Sequence, residues 1–458
     1  MRSSRSLRPS RPASVVVRTL GWLGIGLMAL TVAPASALAL EAREFRLDNG
    51  LKVIVARESK APVVITQMWY RVGSAHEKPG KTGLSHMLEH MMFQGTETLP
   101  PEAFSKLVAR EGGEDNASTT NDYTMYYIKL AADRVELALK LEADRMRGLK
   151  LQEGEFKSEN LVVREERRMR TDSDPNQRML ERYRALAYGD HPYGRPVIGA
   201  MDDVAGLKLE DLKGWYQTFY APNNATLVVV GDVDPEKVEG LVRKYFSPLT
   251  AQPTAPPLPF PEPPRREKPD RLEMRDPAAK LPIWMAGYAV PSLSMPDAGE
   301  DALALDVLAV VLGNGSTSRL NQRLIRDLGV AVSVSAVYSG FSASWELFSL
   351  SAMPKPGADL QEMEKAIFAE VERLIREPVS ARELEKARNG LIAEHVYAQD
   401  SIDRIAWIIG RMDINDLDWR KMVDDYPQRV RAVTSEALQR VATQYLRPER
   451  LTVGILKP

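Results

Sequence analysis

The sequence predicts an α+β fold built from two homologous domains, each a mostly antiparallel sheet packed with helices on one side. A proline-rich stretch over residues 248–266 divides the chain, because prolines at that density suit neither a helix nor a central strand. The segments before and after it end alike, with a helix carrying a tyrosine, a proline-bearing turn and a buried strand. This repeat, with a period near 225 residues, indicates an internal duplication; chance similarity is the alternative on this observation alone.

The elements of each half follow from local patterns. A tight turn at 48–50 leads into a strand over 51–55, and a second strand is predicted over 63–72, before a loop over 73–80. Residues 83–93 have helical periodicity, and 123–130 have the pattern of a strand. Longer helices are predicted over 134–146, 153–169 and 176–187, and in the second half over 302–312, 318–326, 359–376 and 381–396.

The first 39 residues differ from the rest and predict a secretory signal. Arginines make a basic start with no acidic residue before Glu41, an apolar stretch covers 20–33, and small residues follow up to Ala39. We expect cleavage after Ala37 or Ala39 and export across the inner membrane to the periplasm. About 14 apolar residues are fewer than the ~20 that span a bilayer, so stable membrane insertion is not expected; a retained anchor is the alternative.

Composition narrows the chemistry. The 458 residues are 44% hydrophobic and 27% charged, as in soluble globular proteins, and the formal net charge is −1. Such a balance gives no reason to expect a nucleic-acid partner. The chain has no cysteine, which excludes thiolate metal ligands and a cysteine nucleophile. Any metal must therefore be held by some of the five histidines or by carboxylates.

The run from His86 to His90 predicts a zinc site. His86, Glu89 and His90 occupy positions i, i+3 and i+4 of the predicted helix, so the three side chains share one face. Two imidazoles at this spacing can bind one Zn²⁺, with the glutamate beside them as a base for the water on the metal. The alternative is a structural pair of histidines, which is less probable when only five occur in the chain.

A third ligand is needed, because catalytic zinc sites have three protein ligands and an open position. The predicted helix over 153–169 carries Glu159 and Glu166 on one face, on either side of an apolar stripe, and buried carboxylates there would need a cation. Two surface charges flanking a stripe are an equally good explanation from spacing alone. Glu165 lies about 100° away around the helix and is expected to be solvated.

The segment 83–96 resembles the family of pitrilysin, insulysin and the mitochondrial processing peptidases, whose zinc motif has this order of residues. In that family the third ligand is a glutamate at the distance that separates His90 from Glu166, and Glu159 matches a second glutamate that supports catalysis. The resemblance implies Zn²⁺ bound by His86, His90 and Glu166, a zinc-binding catalytic domain over 40–247 and a homologous, non-catalytic domain over 267–458.

The resemblance extends to the segment 112–127, which matches the family's substrate-binding edge strand. It implies that Asn116 and Ala117 bind substrate, with the strand pairing with the backbone of a peptide. From the residues alone, Asn116 is equally well a turn residue after two glycines. The function implied is a zinc-dependent endopeptidase acting on peptides or unfolded polypeptides. The alternatives are a non-catalytic zinc-binding assembly subunit and a metal-dependent hydrolase of a non-peptide substrate.

One departure from the family concerns the second half. The family carries an arginine and, seven residues later, a tyrosine that grip the substrate at the scissile bond. The matching positions here hold Ile325 and Val332, while Arg323 and Arg326 lie out of register. Valine cannot donate the hydrogen bond that tyrosine would supply. We therefore expect a hetero-oligomer in which a homologous subunit supplies this pair.

Overall fold

The computed structural model describes residues 40–253, 260–296 and 298–458. The predicted signal over 1–39 and residues 254–259 of the proline-rich stretch lie outside the described residues. The described chain is mixed α and β, with two sheets that are mostly antiparallel and are packed by helices. The predicted fold class is confirmed. The exact domain boundaries at 247 and 266 stay a prediction.

The first half contains a sheet and the helices that cover it. The strands run in the order β1-β2-β6-β3-β5-β4 across a sheet that is antiparallel except for the β2–β6 pair, so β4 forms one edge. The elements are β1 Ala42–Arg46, β2 Lys52–Arg57, β3 Val63–Tyr70, α1 Leu84–Met91, α2 Ala103–Arg110, β4 Glu114–Thr119, β5 Thr124–Ala131, α3 Val135–Gly148, α4 Glu153–Arg167, α5 Pro175–Tyr188, α6 Met201–Gly206, α7 Leu209–Phe219, β6 Ala225–Gly231 and α8 Pro235–Phe246.

The second half repeats this plan. Its strands run in the order β7-β11-β8-β10-β9, and only β7 and β11 are parallel. The elements are β7 Asp270–Arg275, β8 Ile283–Val290, α9 Asp301–Gly313, β9 Ala331–Val337, β10 Glu346–Pro354, α10 Leu360–Arg376, α11 Ala381–Ala398, α12 Ile402–Ile414, α13 Arg420–Val423, α14 Tyr426–Ala432, α15 Ser435–Tyr445 and β11 Leu451–Lys457. Two π-helical turns, Arg168–Asp172 and Asn321–Asp327, add to these helices.

The matching strand orders support the predicted duplication. Taken in chain order, the five strands β2 to β6 have the same positions in the first sheet as the five strands β7 to β11 have in the second. The correspondence includes the single parallel pair. In both halves a helix, α7 in the first and α15 in the second, leads through a short turn that begins with proline, at Pro222 and Pro448, into the buried strand between two others. Identical topology over five strands argues against chance similarity.

Most predicted elements are present with shifted ends. The predicted helix over 318–326 is largely the π-helical segment Asn321–Asp327. The elements that the sequence analysis did not assign include α2, α8 and α12. The described part of the chain contains no helix that is both long and apolar enough to cross a membrane.

One helix of each half packs on the sheet of the other half. Helix α12 packs on β3 and β6 of the first sheet, where Trp69 is fully buried against Gly410. Helix α5 packs on β7, β8 and β11 of the second sheet, and Met179 and Tyr183 lie against Gly454 there. Each sheet therefore has helices of its own half on one face and a helix from the other half on the second face.

The glycine in α12 is required by this close approach. A side-chain methyl at Gly410 would overlap the indole ring of Trp69, which is buried and cannot move away easily. Gly410→Ala is expected to lower the free energy of unfolding by about 1–3 kcal/mol. Thermal unfolding followed by circular dichroism should show a lower Tm.

Gly390 in α11 provides a matched control. The position of its Cβ is open space, so Gly390→Ala should leave Tm unchanged or raise it, because alanine favours a helix over glycine by about 1 kcal/mol. Equal Tm values for the two variants would contradict the packing of α12 on the first sheet.

Candidate metal centre

Helix α1 is anchored at its first turn by a buried carboxylate. Gly83 precedes the helix with φ +86°, where its Cα lies so close to the backbone of Ile198 that a side chain would clash. The Glu77 carboxylate accepts the backbone N–H groups of Gly83 and Ser85, both at 2.7 Å. A negative charge at a helix N-terminus satisfies donors that have no partner inside the helix. The histidines one turn later are thus carried on a helix of fixed position.

The structure brings His86, His90 and Glu166 together. One nitrogen of each imidazole and one oxygen of Glu166 lie within 4.8 Å of one another. Glu166 Oε2 is 3.3 Å from His90 Nε2 and 3.7 Å from His86 Nε2. Helices α1 and α4 pack against each other, which places the two parts of this cluster face to face although 76 residues separate them.

These distances fit a zinc ion. Nitrogen and oxygen ligands about 2.0–2.1 Å from a tetrahedral Zn²⁺ lie roughly 3.4 Å from each other, close to the two separations from Glu166. The donor set of two imidazoles and a carboxylate is that of known catalytic zinc sites. Glu166 Oε2 is buried and faces nitrogens of both imidazoles without a well-formed hydrogen bond, a position in which a carboxylate oxygen favours a bound cation. The residues present therefore fit the metal that the motif predicts.

A second layer of polar residues holds the ligands. Glu159 Oε2 lies 3.1 Å from Nδ1 of His90, and Gln94 donates its side-chain N–H to Glu159 Oε1 at 2.9 Å. A carboxylate on the far nitrogen of a histidine orients the ring and raises its basicity as a metal ligand. Arg170 forms an ion pair of 2.5 Å with Glu166 Oε1, which leaves Oε2 facing the histidines.

The two histidines are in opposite electrostatic environments in the protein without metal. Burial lowers the pKa of His86 to about 4. Burial also acts to lower the pKa of His90, but the carboxylates of Glu159 and Glu166 outweigh it and raise that pKa to about 9. The His90 imidazole lowers the pKa of Glu166 in return. Because a metal ligand must be a neutral imidazole, binding of a cation here requires that His90 release a proton.

Glu89 lies on the same face of α1 but is held differently. Its Oε2 accepts a hydrogen bond of 2.5 Å from the hydroxyl of Thr119 at the end of β4. Burial raises the pKa of the Glu89 carboxyl above its ordinary value. A carboxylate with a raised pKa beside a metal site is suited to accept a proton from water and to return it later.

The predicted substrate-binding residues lie on edge strand β4 but on opposite faces. Asn116 is exposed, and its Oδ1 accepts the backbone N–H of Ala117 at 2.9 Å. Ala117 is half-buried and packs against the core of the first half, on the same face as Thr119. Their roles stay predictions.

Other sequence expectations can be compared with the structure. Glu165 is 57% exposed and pairs with Arg168, as expected for a solvated position. The remaining histidines have partners outside the metal cluster: His76 with the N–H of Gly73, His191 with Ser344 and His395 with the carbonyl of Val423. Val332, at the position of the family's tyrosine, is 53% exposed on edge strand β9.

Several residues of the site were missed by the sequence analysis. Arg170 and Gln94 each follow a site residue at the i+4 spacing, so helix periodicity was a signal that could have found them. Glu77 contacts the start of α1 from a loop, and Thr119 contacts Glu89 from the end of β4. No local pattern marks such contacts.

A cavity of about 390 Å³ adjoins the metal cluster. Its walls include His86, Glu166 and Thr119, and its other lining residues are Asn121 in the turn after β4 and residues of α5, the π-helical turn after α4 and the segment 194–198. Within the described residues, all of its lining belongs to the first half of the chain.

Comparisons with known proteins agree with these features. Residues 52–201 match the family model described as insulinase, peptidase family M16, and residues 206–391 match the model described as peptidase M16 inactive domain. The zinc protease PqqE of Helicobacter pylori is 33% identical over 420 residues, which are 90% of this chain and 92% of that protein.

Solved structures show the same fold. A protease from Helicobacter pylori superposes with a TM-score of 0.85 at 32% identity, covering 92% of this chain and all of its own. The periplasmic protease PqqL from Escherichia coli superposes with a TM-score of 0.77 at 20% identity; the match covers 91% of this chain and 47% of PqqL. The resemblance expected from the zinc motif is confirmed, and the chain belongs to peptidase family M16, the insulinase family.

Proposed function

We propose that this chain is a zinc-dependent endopeptidase that hydrolyses peptides or unfolded polypeptides. The observation that carries the proposal is the convergence of His86, His90 and Glu166 around one point, with Glu89 on the same helical face. A bound zinc ion would supply a Lewis acid for the substrate carbonyl and a water of lowered pKa. Zinc-protease names among relatives support this chemistry.

The residues of the site have different roles in this proposal. His86, His90 and Glu166 would hold the metal, and Glu89 would take the proton of the attacking water and deliver it to the leaving amine. The hydrogen bond from Thr119 orients the Glu89 carboxylate without giving it a permanent cationic partner. Glu159, grouped with the catalytic residues by resemblance, touches His90 rather than the reacting atoms, so we assign it a positioning role.

Substrate would bind along β4. This strand ends the first sheet, so one side of its backbone has no neighbouring strand among the described residues. An extended peptide can add to such an edge through main-chain hydrogen bonds, which do not depend on side chains. Asn116 and Ala117 lie in the middle of the strand, and its last residue, Thr119, contacts Glu89. The strand therefore leads a bound peptide towards the metal cluster.

The proposal includes a homologous partner subunit. Ile325 and Val332 cannot replace the arginine and tyrosine, and the described residues that line the cavity beside the metal cluster all belong to the first half. PqqL, whose chain is about twice as long as the matched part, carries further protein in the same polypeptide. A second subunit of this fold would occupy the corresponding place here. Export to the periplasm, proposed from the N-terminal pattern, would put substrate and partner in that compartment.

Glu89→Gln should lower kcat for a quenched peptide library by at least about a hundredfold, because the amide cannot accept the proton of water. Zinc content, measured by inductively coupled plasma mass spectrometry, should stay at the wild-type level. Wild-type turnover in this variant would contradict the assignment of Glu89 as base. Zinc bound without cleavage by the wild type, under every partner condition, would favour the non-catalytic assembly subunit.

Glu159→Gln should weaken zinc binding about 10–100-fold, because His90 loses the carboxylate that orients its ring. Competition with a chromophoric chelator measures this change directly. Glu165→Gln is the matched control on the same helix, since Glu165 is exposed and pairs only with Arg168 among the described residues. Equal zinc affinity in both variants would show that Glu159 does not position His90.

The partner requirement predicts low activity of the isolated chain. A homogeneous monomer, verified by light scattering, should cleave the quenched library slowly. The rate should rise when a homologous subunit that carries the arginine–tyrosine pair is added. The reason is that the tyrosine hydroxyl stabilises the charge that develops on the substrate oxygen, worth about 10²–10³ in kcat for one such donor. Full activity in the monomer would contradict the proposal.

A further inference from the structure

The cavity that adjoins the metal cluster is lined in part by arginine side chains that form no ion pair within the described residues, whereas the carboxylates near it are already paired or hydrogen-bonded. Three guanidinium groups line it, those of Arg170, Arg184 and Arg195. Arg170 is paired with the metal-site carboxylate of Glu166. The other two make their hydrogen bonds to neutral oxygens. The charge of Arg195 also acts on the nearby Glu77 carboxyl, whereas the charge of Arg184 is available to a bound molecule.

Arg184 illustrates this most clearly. Its side chain donates to Oδ1 of Asn121 at 3.4 Å and to the backbone carbonyl of Tyr193 at 3.3 Å, and it is half-buried. Arg195 donates to the backbone carbonyl of Glu77. In the described parts of the chain, no carboxylate lies within 4.0 Å of a nitrogen of Arg184 or Arg195.

The carboxylates near the cavity are already engaged. Glu181 is held by two nitrogens of Arg167, at 3.1 and 2.9 Å. Glu77 accepts the N–H groups at the start of α1, as described above. Glu166 belongs to the metal cluster. An arriving cation would find no unpaired carboxylate on this wall, whereas an arriving carboxylate would find two guanidinium groups.

Part of the remaining wall is apolar, beside polar side chains such as Thr171 and Gln177. Leu180 is 39% exposed, and Val197 and Ile198 are half-buried beside it. A cavity of about 390 Å³ has room for a side chain together with ordered water. Methylene groups suit the apolar part, and a carboxylate suits the cationic end.

We propose that this cavity is a substrate subsite that selects a carboxylate of the peptide, with Arg184 as the specificity-determining residue. The inference rests on the proposed peptidase function and deepens it by naming the substrate class. The carboxylate can belong to a glutamate or aspartate side chain or to the C-terminus of a peptide. Both present the same group to the guanidinium.

The experiment compares peptides that differ in one group. Acetylated and amidated quenched peptides carry Glu, Gln or Lys at each position on either side of the cleaved bond, and a second set carries Gln with a free C-terminus. For the wild type we expect kcat/KM to favour Glu over Gln about 10–100-fold at one position, the range for a hydrogen bond to a charged group. A preference confined to the second set would assign the subsite to the C-terminal carboxylate.

Variants of α5 test whether Arg184 is responsible. Arg184→Gln should reduce the Glu-to-Gln ratio to near one, Arg184→Lys should retain part of it, and Arg184→Glu should favour Lys instead. Arg182→Gln is the matched control, because Arg182 is exposed on the same helix and contacts Met274 rather than the cavity. Near-UV circular dichroism and Tm verify that each variant is folded.

A binding measurement separates the two proposals. Glu89→Gln protein is titrated with the same peptides carrying a fluorophore, and anisotropy reports affinity at low and high salt without cleavage. Wild-type cleavage with no carboxylate preference, or a preference that Arg184→Gln leaves intact, would overturn the subsite. Absence of any cleavage, with and without a homologous partner subunit, would overturn the proposed peptidase function, while Arg184-dependent and salt-sensitive binding of acidic peptides would still support the subsite.

Discussion

The reciprocal exchange of helices between the two halves is the constraint on which the site depends. Helix α5 belongs to the first half by sequence but buries Met179 and Tyr183 against the second sheet. Residues one position further along the helix, Leu180 and Arg184, therefore face the cavity beside the metal cluster. The second half contributes no metal ligand in the described chain, yet it fixes the helix that forms one wall of the proposed subsite.

In the metal cluster, the negative charges of two carboxylates are compensated by a proton on an imidazole or by a bound cation. Glu159 and Glu166 both face His90, which accounts for the raised pKa of that imidazole in the absence of a cation. Arg170 and Gln94 bind the outer oxygens of the two carboxylates, so the inner oxygens have no freedom to turn away. Such preorganisation means that these side chains would need little rearrangement to bind a cation in place of the proton on His90.

Sequence patterns predicted the parts of the structure that depend on neighbours along the chain. Helix spacing placed His86, Glu89 and His90 on one face and left Glu159 and Glu166 as candidates, while the family resemblance chose between their roles. The similar ends of the two halves indicated the duplication. Spacing alone did not reveal α12 across the first sheet or Thr119 beside Glu89, because both contacts join residues far apart in sequence through packing that no periodicity records.

The duplication also allows the two halves to be compared element by element, and the described residues of the second half contain no metal cluster. Helix α9 stands in the second half where α1 stands in the first, and it is apolar on nearly every face because it is buried on all sides. Apart from Asp301 and Asp306, its positions serve packing, so polar ligands there would cost contacts in the core. The helix face with the metal cluster thus lies in the first half, and the corresponding helix of the second half packs against the sheet that supports α5. A substitution in that core should therefore disturb the proposed subsite, through Met179 and Tyr183, more than it disturbs the metal cluster.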